Sequence, residues 1–162
     1  MRVGIALGSN LGTRAEVLAR ARGWLRSLDP GARFSGVYET EAVDCLPGSP
    51  SFLNQVAEIA WSGSLTSLLD LLQAQERSHG RKAVRGRNQP RPLDLDLLYA
   101  DDRVVRTGRL QLPHPRMGSR RFVLEPLAEI CPGRRVPGLP GSVRETAEWL
   151  MSRGGESCRR IG

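Results

Sequence analysis

The 162-residue chain is poor in aromatic residues, lysine and cysteine, and each scarcity narrows its possible functions. Aromatic residues make up 5% of the sequence and do not alternate with the arginines, which argues against the stacking platform of a single-strand nucleic-acid binder. The three cysteines, Cys45, Cys131 and Cys158, are odd in number and lack CxxC spacing, so neither a disulfide framework nor a zinc site is predicted. A reducing, cytoplasmic location is therefore expected.

Long apolar runs and several catalytic signatures are also missing. No stretch approaches the roughly 18 apolar residues of a membrane span, and residues 3–7 are too short a run for a signal peptide. The sequence contains no GxxxxGK phosphate loop, no GxSxG elbow and no HExxH zinc motif. We therefore expect a soluble single domain, residues 1–162, with no membrane partner and without one of the common nucleotide-binding folds.

The basic residues are abundant and almost all are arginine. The chain has 24 Lys and Arg against 17 Asp and Glu, a formal net charge of +7, and Lys82 is its single lysine. Such a charge attracts phosphates and other polyanions. Because an arginine bias is equally typical of a GC-rich genome, the charge alone does not predict a nucleic-acid partner.

Hydrophobic periodicity predicts an α+β domain with a mainly antiparallel sheet flanked by helices. Strands are predicted at residues 3–7, 34–40 and 52–61, with a turn at 8–12 and a hairpin joining residues 93–99 to 103–105. Helices are predicted at residues 13–28, 64–79, 122–130 and 142–150; Thr13 with Glu16, and Ser142 with Glu145, have capping-box spacing. The tail from Arg153 onward is expected to be frayed.

The chemistry is expected at Asp94 and Asp96, in the segment LDLDLL. In an extended strand these two carboxylates point to one face, with Cα atoms ~6.6 Å apart, while the flanking leucines point to the other. Magnesium prefers a few carboxylate oxygens together with water and phosphate oxygens, so the pair is a candidate metal site. The alternative is a solvated strand face whose acids pair with nearby arginines.

An arginine-rich loop precedes this strand and strengthens the phosphate interpretation. It contains Arg81, Arg85, Arg87 and Arg91. The planar guanidinium group makes bidentate, permanently charged contacts with phosphate oxygens. A solvated basic loop is the alternative, but acids and arginines adjoin here as a site for a metal-bound polyphosphate requires.

Three further polar residues are candidate ligands of a nucleotide. Gln73 and Glu76 end the second long helix, where Glu76 occupies a position at which the apolar stripe predicts a hydrophobic residue. His114 lies between two prolines in a loop and could donate to a phosphate. An ordinary charge at a frayed helix end is the alternative for Glu76.

Taken together, these segments resemble the 6-hydroxymethyl-7,8-dihydropterin pyrophosphokinase family. The resemblance spans residues 1 to about 130 and lies in GSN at 8–10, YxT at 38–40, FLN at 52–54, ExxxGR at 76–81, RxxPRxLDLD at 87–96 and LPHPxMxxRxFVLxPL at 112–127.

The resemblance implies a ferredoxin-like fold, a monomer, ATP as co-substrate and two magnesium ions as cofactors. The pterin alcohol would attack the β-phosphorus of ATP in line and release AMP, with Asp94 and Asp96 holding both metals and Arg81 and Arg91 stabilising the transferred charge. The family's ATP-binding positions fall on Gln73, Glu76, Arg87, Arg91, His114 and Arg120. Its pterin-binding positions fall on Thr40, Asn54 and Phe122.

Two other functions stay open at this stage. A ferredoxin-like RNA-binding module would need exposed aromatics on its central strands, which the LDLDLL segment lacks. A magnesium-dependent nucleotidyltransferase would use the same acids but would release pyrophosphate instead of AMP.

Overall fold

A computed structural model of the chain describes residues 1–41, 47–48, 50–80 and 92–162. Its main sheet has the strand order β5-β1-β4-β3-β8, with β2 also paired to β4, and every pairing is antiparallel. The strands are β1 (Arg2–Ser9), β2 (Arg33–Phe34), β3 (Tyr38–Thr40), β4 (Phe52–Ala60), β5 (Asp94–Ala100) and β8 (Cys158–Arg160). A second, two-stranded sheet pairs β6 (Val105–Arg106) with β7 (Gln111–Leu112).

Helices cover both faces of the main sheet. They are α1 (Arg14–Leu28), α2 (Leu65–Ser78), α3 (Arg121–Ile130) and α4 (Val143–Ser152). On one face, Ile5 and Leu7 of β1 pack in one buried cluster with Leu18 of α1 and Leu68 of α2. On the other, residues of β4 and β5 pack with α3 and α4. The predicted α+β class with an antiparallel sheet is confirmed. None of the helices in the described residues has the length and apolar character of a membrane span.

Polar caps fix the starts of two helices. Ser64 accepts a hydrogen bond from the Ser67 N–H at 3.1 Å, and Ser142 forms the predicted capping box with Glu145. Each cap satisfies an N–H group that has no partner within its own helix. Thr13 precedes α1 as expected, but its side chain makes no capping hydrogen bond.

The structure corrects four predicted element boundaries. Strand β1 continues through Ser9, so the predicted turn starts later than residue 8. The predicted strand 34–40 is divided into β2 and β3. Between them the Ser35 hydroxyl accepts a hydrogen bond from the Val56 N–H, and the Gly36 N–H donates to Glu129 on α3. β6 pairs with β7 instead of forming a hairpin with β5, and the tail expected to be frayed forms β8 on the edge of β3.

Candidate active site

Asp94 and Asp96 lie on β5 in the alternating arrangement that the sequence predicts. Their side chains are half-buried, while Leu95 and Leu97 are 4% exposed in the core on the opposite face. Asp94 lies opposite Gly8 of β1, and Asp96 lies opposite Ala6. Two carboxylates therefore project from one rigid strand on the face that α3 and α4 partly cover.

A row of three residues crosses the sheet at this point. Asn54 of β4 pairs with Gly8 of β1, which pairs in turn with Asp94 of β5. A Cβ atom added at Gly8 would lie 3.4 Å from Asn54 Oδ1, 3.8 Å from Phe52 Cδ1 and 4.0 Å from Asp94 Cβ. The absent side chain thus leaves a gap between a polar amide, an aromatic ring and a carboxylate.

Thr40 and Asn54 form a buried polar pair beside this gap. The Asn54 amide Nδ2 donates to Thr40 Oγ1 at 2.8 Å, and the two side chains are 7% and 5% exposed, respectively. The bond directs Asn54 Nδ2 towards Thr40 and leaves Oδ1 on the other side of the amide. Asn54 Oδ1 is the amide atom closest to the Gly8 gap.

The start of α3 brings an arginine and an aromatic ring to the same region. The Arg120 guanidinium carbon lies 5.4 Å from the centre of the Phe122 ring, a cation-π distance. Burial lowers the pKa of Arg120, and Arg116 lowers it further, whereas Asp96 and Asp94 raise it without cancelling the burial effect. The Arg120 charge therefore lies within electrostatic range of both aspartates.

His114 lies beside β5 through a backbone hydrogen bond of 2.7 Å from its N–H to the Leu98 carbonyl. Burial lowers the pKa of His114, and the charges of Arg120 and Arg116 lower it further, while Asp94 opposes them. A lowered pKa favours the neutral imidazole at pH 7. Because Nδ1 accepts a hydrogen bond from the Arg116 N–H at 3.1 Å, the proton is assigned to Nε2, which can donate to a ligand.

Glu76 and Gln73 approach β5 from α2. Glu76 is 6% exposed, and its Oε1 accepts a 2.8 Å hydrogen bond from the Leu95 N–H, between the two aspartates. Gln73 Oε1 accepts from Arg109 Nη2 at 3.3 Å. Both side chains line a cavity of about 310 Å³ whose other lining residues include Asp96, Leu97, Arg109, Gln111 and His114.

The predicted site residues thus fall into two groups on either side of β5. Around the Gly8 gap lie Asn54 and Asp94, with Thr40 bonded to Asn54, and around the cavity lie Gln73, Glu76, Asp96 and His114. Arg120, which carries its charge within electrostatic range of both aspartates, contacts Phe122 at the start of α3. Arg81, Arg85, Arg87 and Arg91 lie outside the described residues.

Sequence reasoning missed two contributors to this site. Gly8 belongs to β1 and borders the gap. It was overlooked because the sequence pattern predicts a turn at residue 8 instead of a strand. Arg109 pairs with Asp70 and Gln73 at the cavity rim, and nothing in its local sequence indicates that contact.

Comparison with known proteins places the chain in one enzyme class. A family model described as 7,8-dihydro-6-hydroxymethylpterin-pyrophosphokinase matches residues 4–132. The 2-amino-4-hydroxy-6-hydroxymethyldihydropteridine pyrophosphokinase of Bacillus subtilis is 42% identical over 130 residues, 78% of this chain and 76% of the relative. The Pseudomonas aeruginosa protein of the same name is 40% identical over 139 residues, 84% of each chain.

Solved structures show the same fold at low sequence identity. Plasmodium falciparum HPPK-DHPS with pteroate aligns over 94% of this chain with a TM-score of 0.72 and 12% identity. This chain spans 42% of the length of that solved chain. The structural likeness establishes the fold alone.

The sequence matches identify the chain as a pyrophosphokinase, an enzyme that transfers a diphosphate group. It belongs to the 7,8-dihydro-6-hydroxymethylpterin-pyrophosphokinase family.

Proposed function

We propose that this protein transfers diphosphate from ATP to the hydroxyl group of 6-hydroxymethyl-7,8-dihydropterin, releases AMP, and acts in folate biosynthesis. The observation that carries the proposal is the row Asn54, Gly8 and Asp94, which sets a hydrogen-bonding amide and a carboxylate on either side of a residue without a side chain. A heterocycle held by the amide would have its hydroxymethyl group directed towards the aspartates. Membership of the pyrophosphokinase family supports the same reaction.

Asp94 and Asp96 are proposed to hold two magnesium ions. The fit rests on two half-buried carboxylates on one strand face. In the described part of the chain there is no group of three or more His, Cys, Asp or Glu side chains that could hold a metal ion. A carboxylate pair suits magnesium, which keeps water and phosphate oxygens as its remaining ligands. Bound there, magnesium would neutralise charge on the phosphates during transfer.

The pterin is proposed to bind in the Gly8 gap. Because Asn54 Nδ2 is already bonded to Thr40, Oδ1 is oriented to accept from the pterin's amino group. The Phe122 ring provides a surface on which a flat heterocycle can stack, and the Phe52 ring borders the Gly8 gap. These contacts would fix the hydroxyl oxygen in position for in-line attack, and such positioning supplies much of the rate.

ATP is proposed to occupy the cavity at the α2 side of β5, near Gln73, Glu76 and His114. The neutral His114 imidazole can donate through Nε2 to a phosphate oxygen, and Arg120 supplies fixed positive charge. Arg81, Arg87 and Arg91 are proposed to complete the phosphate site from residues 81–91, which lead directly into β5 in the sequence.

The proposal also covers the domain organisation, topology, oligomeric state and location of the protein. The chain would be one domain, residues 1–162, with a ferredoxin-like topology, which the order β5-β1-β4-β3 in an antiparallel sheet with two β-α units supports. It would act as a cytoplasmic monomer. The free thiols of Cys131 and Cys158 fit a reducing compartment.

Product analysis tests the reaction. The protein is incubated with ATP, magnesium and 6-hydroxymethyl-7,8-dihydropterin, and AMP and pyrophosphate are both measured. AMP formation that requires the pterin is expected. Pyrophosphate release without AMP would instead indicate a nucleotidyltransferase, and no AMP above a heat-killed control would refute the proposed function.

A further inference from the structure

The C-terminal segment, residues 156–162, contacts β3 and α3, two of the three elements that carry the proposed pterin residues. It lies beyond residue 132, where the family match ends. Its strand β8 pairs with β3 so that Cys158 lies opposite Thr40. Arg159 forms an ion pair with Glu39 of β3 at 2.9 Å, and Arg160 forms one with Glu129 of α3 at 3.1 Å.

Glu156 makes the contact that bears on the site. Its Oε1 accepts a 3.3 Å hydrogen bond from the backbone N–H of Arg121, the first residue of α3, and its carbonyl oxygen accepts from Arg121 Nη1 at 3.2 Å. Helix α3 has no capping hydrogen bond from its own N-cap side chain, Arg120, and no acid in its first turn. A carboxylate here bonds an N–H that lacks a partner within the helix and interacts favourably with the helix dipole.

The same helical turn carries two proposed substrate contacts. Arg120 immediately precedes the capped N–H and Phe122 immediately follows Arg121, so the position of the first turn sets where both side chains lie. Arg121 is further held by Glu125 one turn along, at 2.8 Å. The Glu156 contact therefore holds the end of α3 that carries Arg120 and Phe122.

We propose that Glu156 is a positioning residue for the pterin site, which it serves by capping α3 from 35 residues further along the chain. This inference rests on the proposed function. It predicts that loss of the Glu156 carboxylate disturbs Phe122 and weakens pterin binding. ATP binding should change less, because Arg120 is the one described ATP residue on this turn, whereas Gln73, Glu76 and His114 lie on other elements.

Steady-state kinetics of four variants of the full chain test the proposal. In Glu156→Ala the KM for the pterin should rise about fivefold, as loss of an N-cap predicts. Glu156→Gln keeps an acceptor oxygen and should remain within about twofold of wild type, whereas Glu156→Lys places repelling charge at the helix start and should exceed the effect of alanine. The matched control is Glu148→Ala, which removes an exposed carboxylate on α4 and should leave the KM for the pterin unchanged.

Two results would overturn the positioning role. One is a KM for the pterin within twofold of wild type in both Glu156→Ala and Glu156→Lys. The other is an equal rise in the KM values for ATP and the pterin, which indicates general loosening of the structure. Either result, obtained with an active protein, would leave the proposed function standing. If the wild-type protein released no AMP, the proposed function itself would be refuted.

Discussion

The carboxylate of Glu76 on α2 accepts a 2.8 Å hydrogen bond from the backbone N–H of Leu95, the residue between Asp94 and Asp96. Among the described strands of the main sheet, β5 pairs with β1 alone, so its other edge is open to the Glu76 side chain. The buried acid thus ties the helix to the strand that carries both candidate metal ligands. This hydrogen bond explains why Glu76 occupies a position of α2 at which the apolar stripe predicts a hydrophobic residue.

Replacing Glu76 by alanine should destabilise the fold as well as the site. The buried Leu95 N–H would lose its acceptor, at a cost of about 1–3 kcal/mol in the free energy of unfolding. Glu76→Gln keeps an acceptor oxygen and should lose less. The measurement is urea denaturation, with Asp70→Asn as control; Asp70 lies on the same helix in an exposed ion pair with Arg109, worth less than about 1 kcal/mol. Equal stability of the alanine variant and wild type would contradict a structural role for Glu76.

Replacing Asp96 should abolish magnesium-dependent turnover without unfolding the protein. If Asp96 contributes several kcal/mol of transition-state stabilisation through a bound ion, Asp96→Ala should lower the rate roughly a hundredfold or more. AMP formation is measured over a range of magnesium concentrations, and circular dichroism checks the fold. Asp102→Ala, an exposed acid in the turn after β5, is the control. Near-normal turnover in Asp96→Ala would refute the metal role.

A side chain at position 8 should block the pterin without disturbing the sheet. The Gly8→Val side chain would extend into the gap between Asn54, Phe52 and Asp94, and a misplacement of about 1 Å in an active site can cost 100-fold in rate. The dissociation constant for the pterin should therefore rise at least about tenfold, as measured by calorimetry. Thermal unfolding should change less than pterin binding, because the added Cβ stays at ordinary contact distances of 3.4–4.0 Å and valine favours strands.

The matched comparison is another glycine of β1. A Cβ atom at Gly4 would lie 2.3 Å from Cε1 of the buried Tyr99 ring. Gly4→Ala should consequently destabilise the fold, because backbone and ring must move apart. If Gly8→Val and Gly4→Ala lowered the melting temperature equally, the gap at Gly8 would be a packing feature and not a binding space.

Stability should fall in acid because of Glu58. Burial raises the pKa of this carboxyl, but hydrogen bonds from Tyr99 and Arg33 and the charge of Arg134 outweigh burial, so the pKa lies below the ordinary 4.5. A lowered folded-state pKa means that Glu58 contributes its full stabilisation above pH 4.5 and loses it as the pH falls through the folded-state value.

Denaturation midpoints measured from pH 7 to pH 3 test this dependence. Glu58→Gln should flatten the acid limb of the profile and destabilise the protein at pH 7 by about 3 kcal/mol, since two arginines lose a buried partner. Glu16→Gln, an exposed acid on α1, provides the comparison. A variant with the same acid limb as wild type would show that other carboxylates control it.

Local patterns predicted those elements whose side chains alternate or whose ends carry caps. The leucines and aspartates of β5 show a period of two, and Ser64 and Ser142 mark helix starts, because these signals depend on neighbouring residues alone. The motifs of residues 8–127 also pointed to the family that the comparisons establish. The roles of individual site residues remain predictions.

The missed features depend on contacts between distant parts of the chain. β8 has only three residues, two of them arginines, and becomes a strand because the edge of β3 offers it hydrogen bonds. Similarly, β6 lies near β5 in sequence but pairs with β7, and the Gly8 gap exists only where three strands meet. No periodicity within one segment carries this information.

The pairing of β8 with β3 also bears on aggregation. The last strand on this side of the main sheet is short, and both Arg159 and Arg160 carry charge, which are features that discourage another chain from adding to a sheet. Removing β8 would expose the backbone of β3 as an open edge. A chain shortened before Cys158 should thus self-associate during refolding, whereas the full chain stays dispersed.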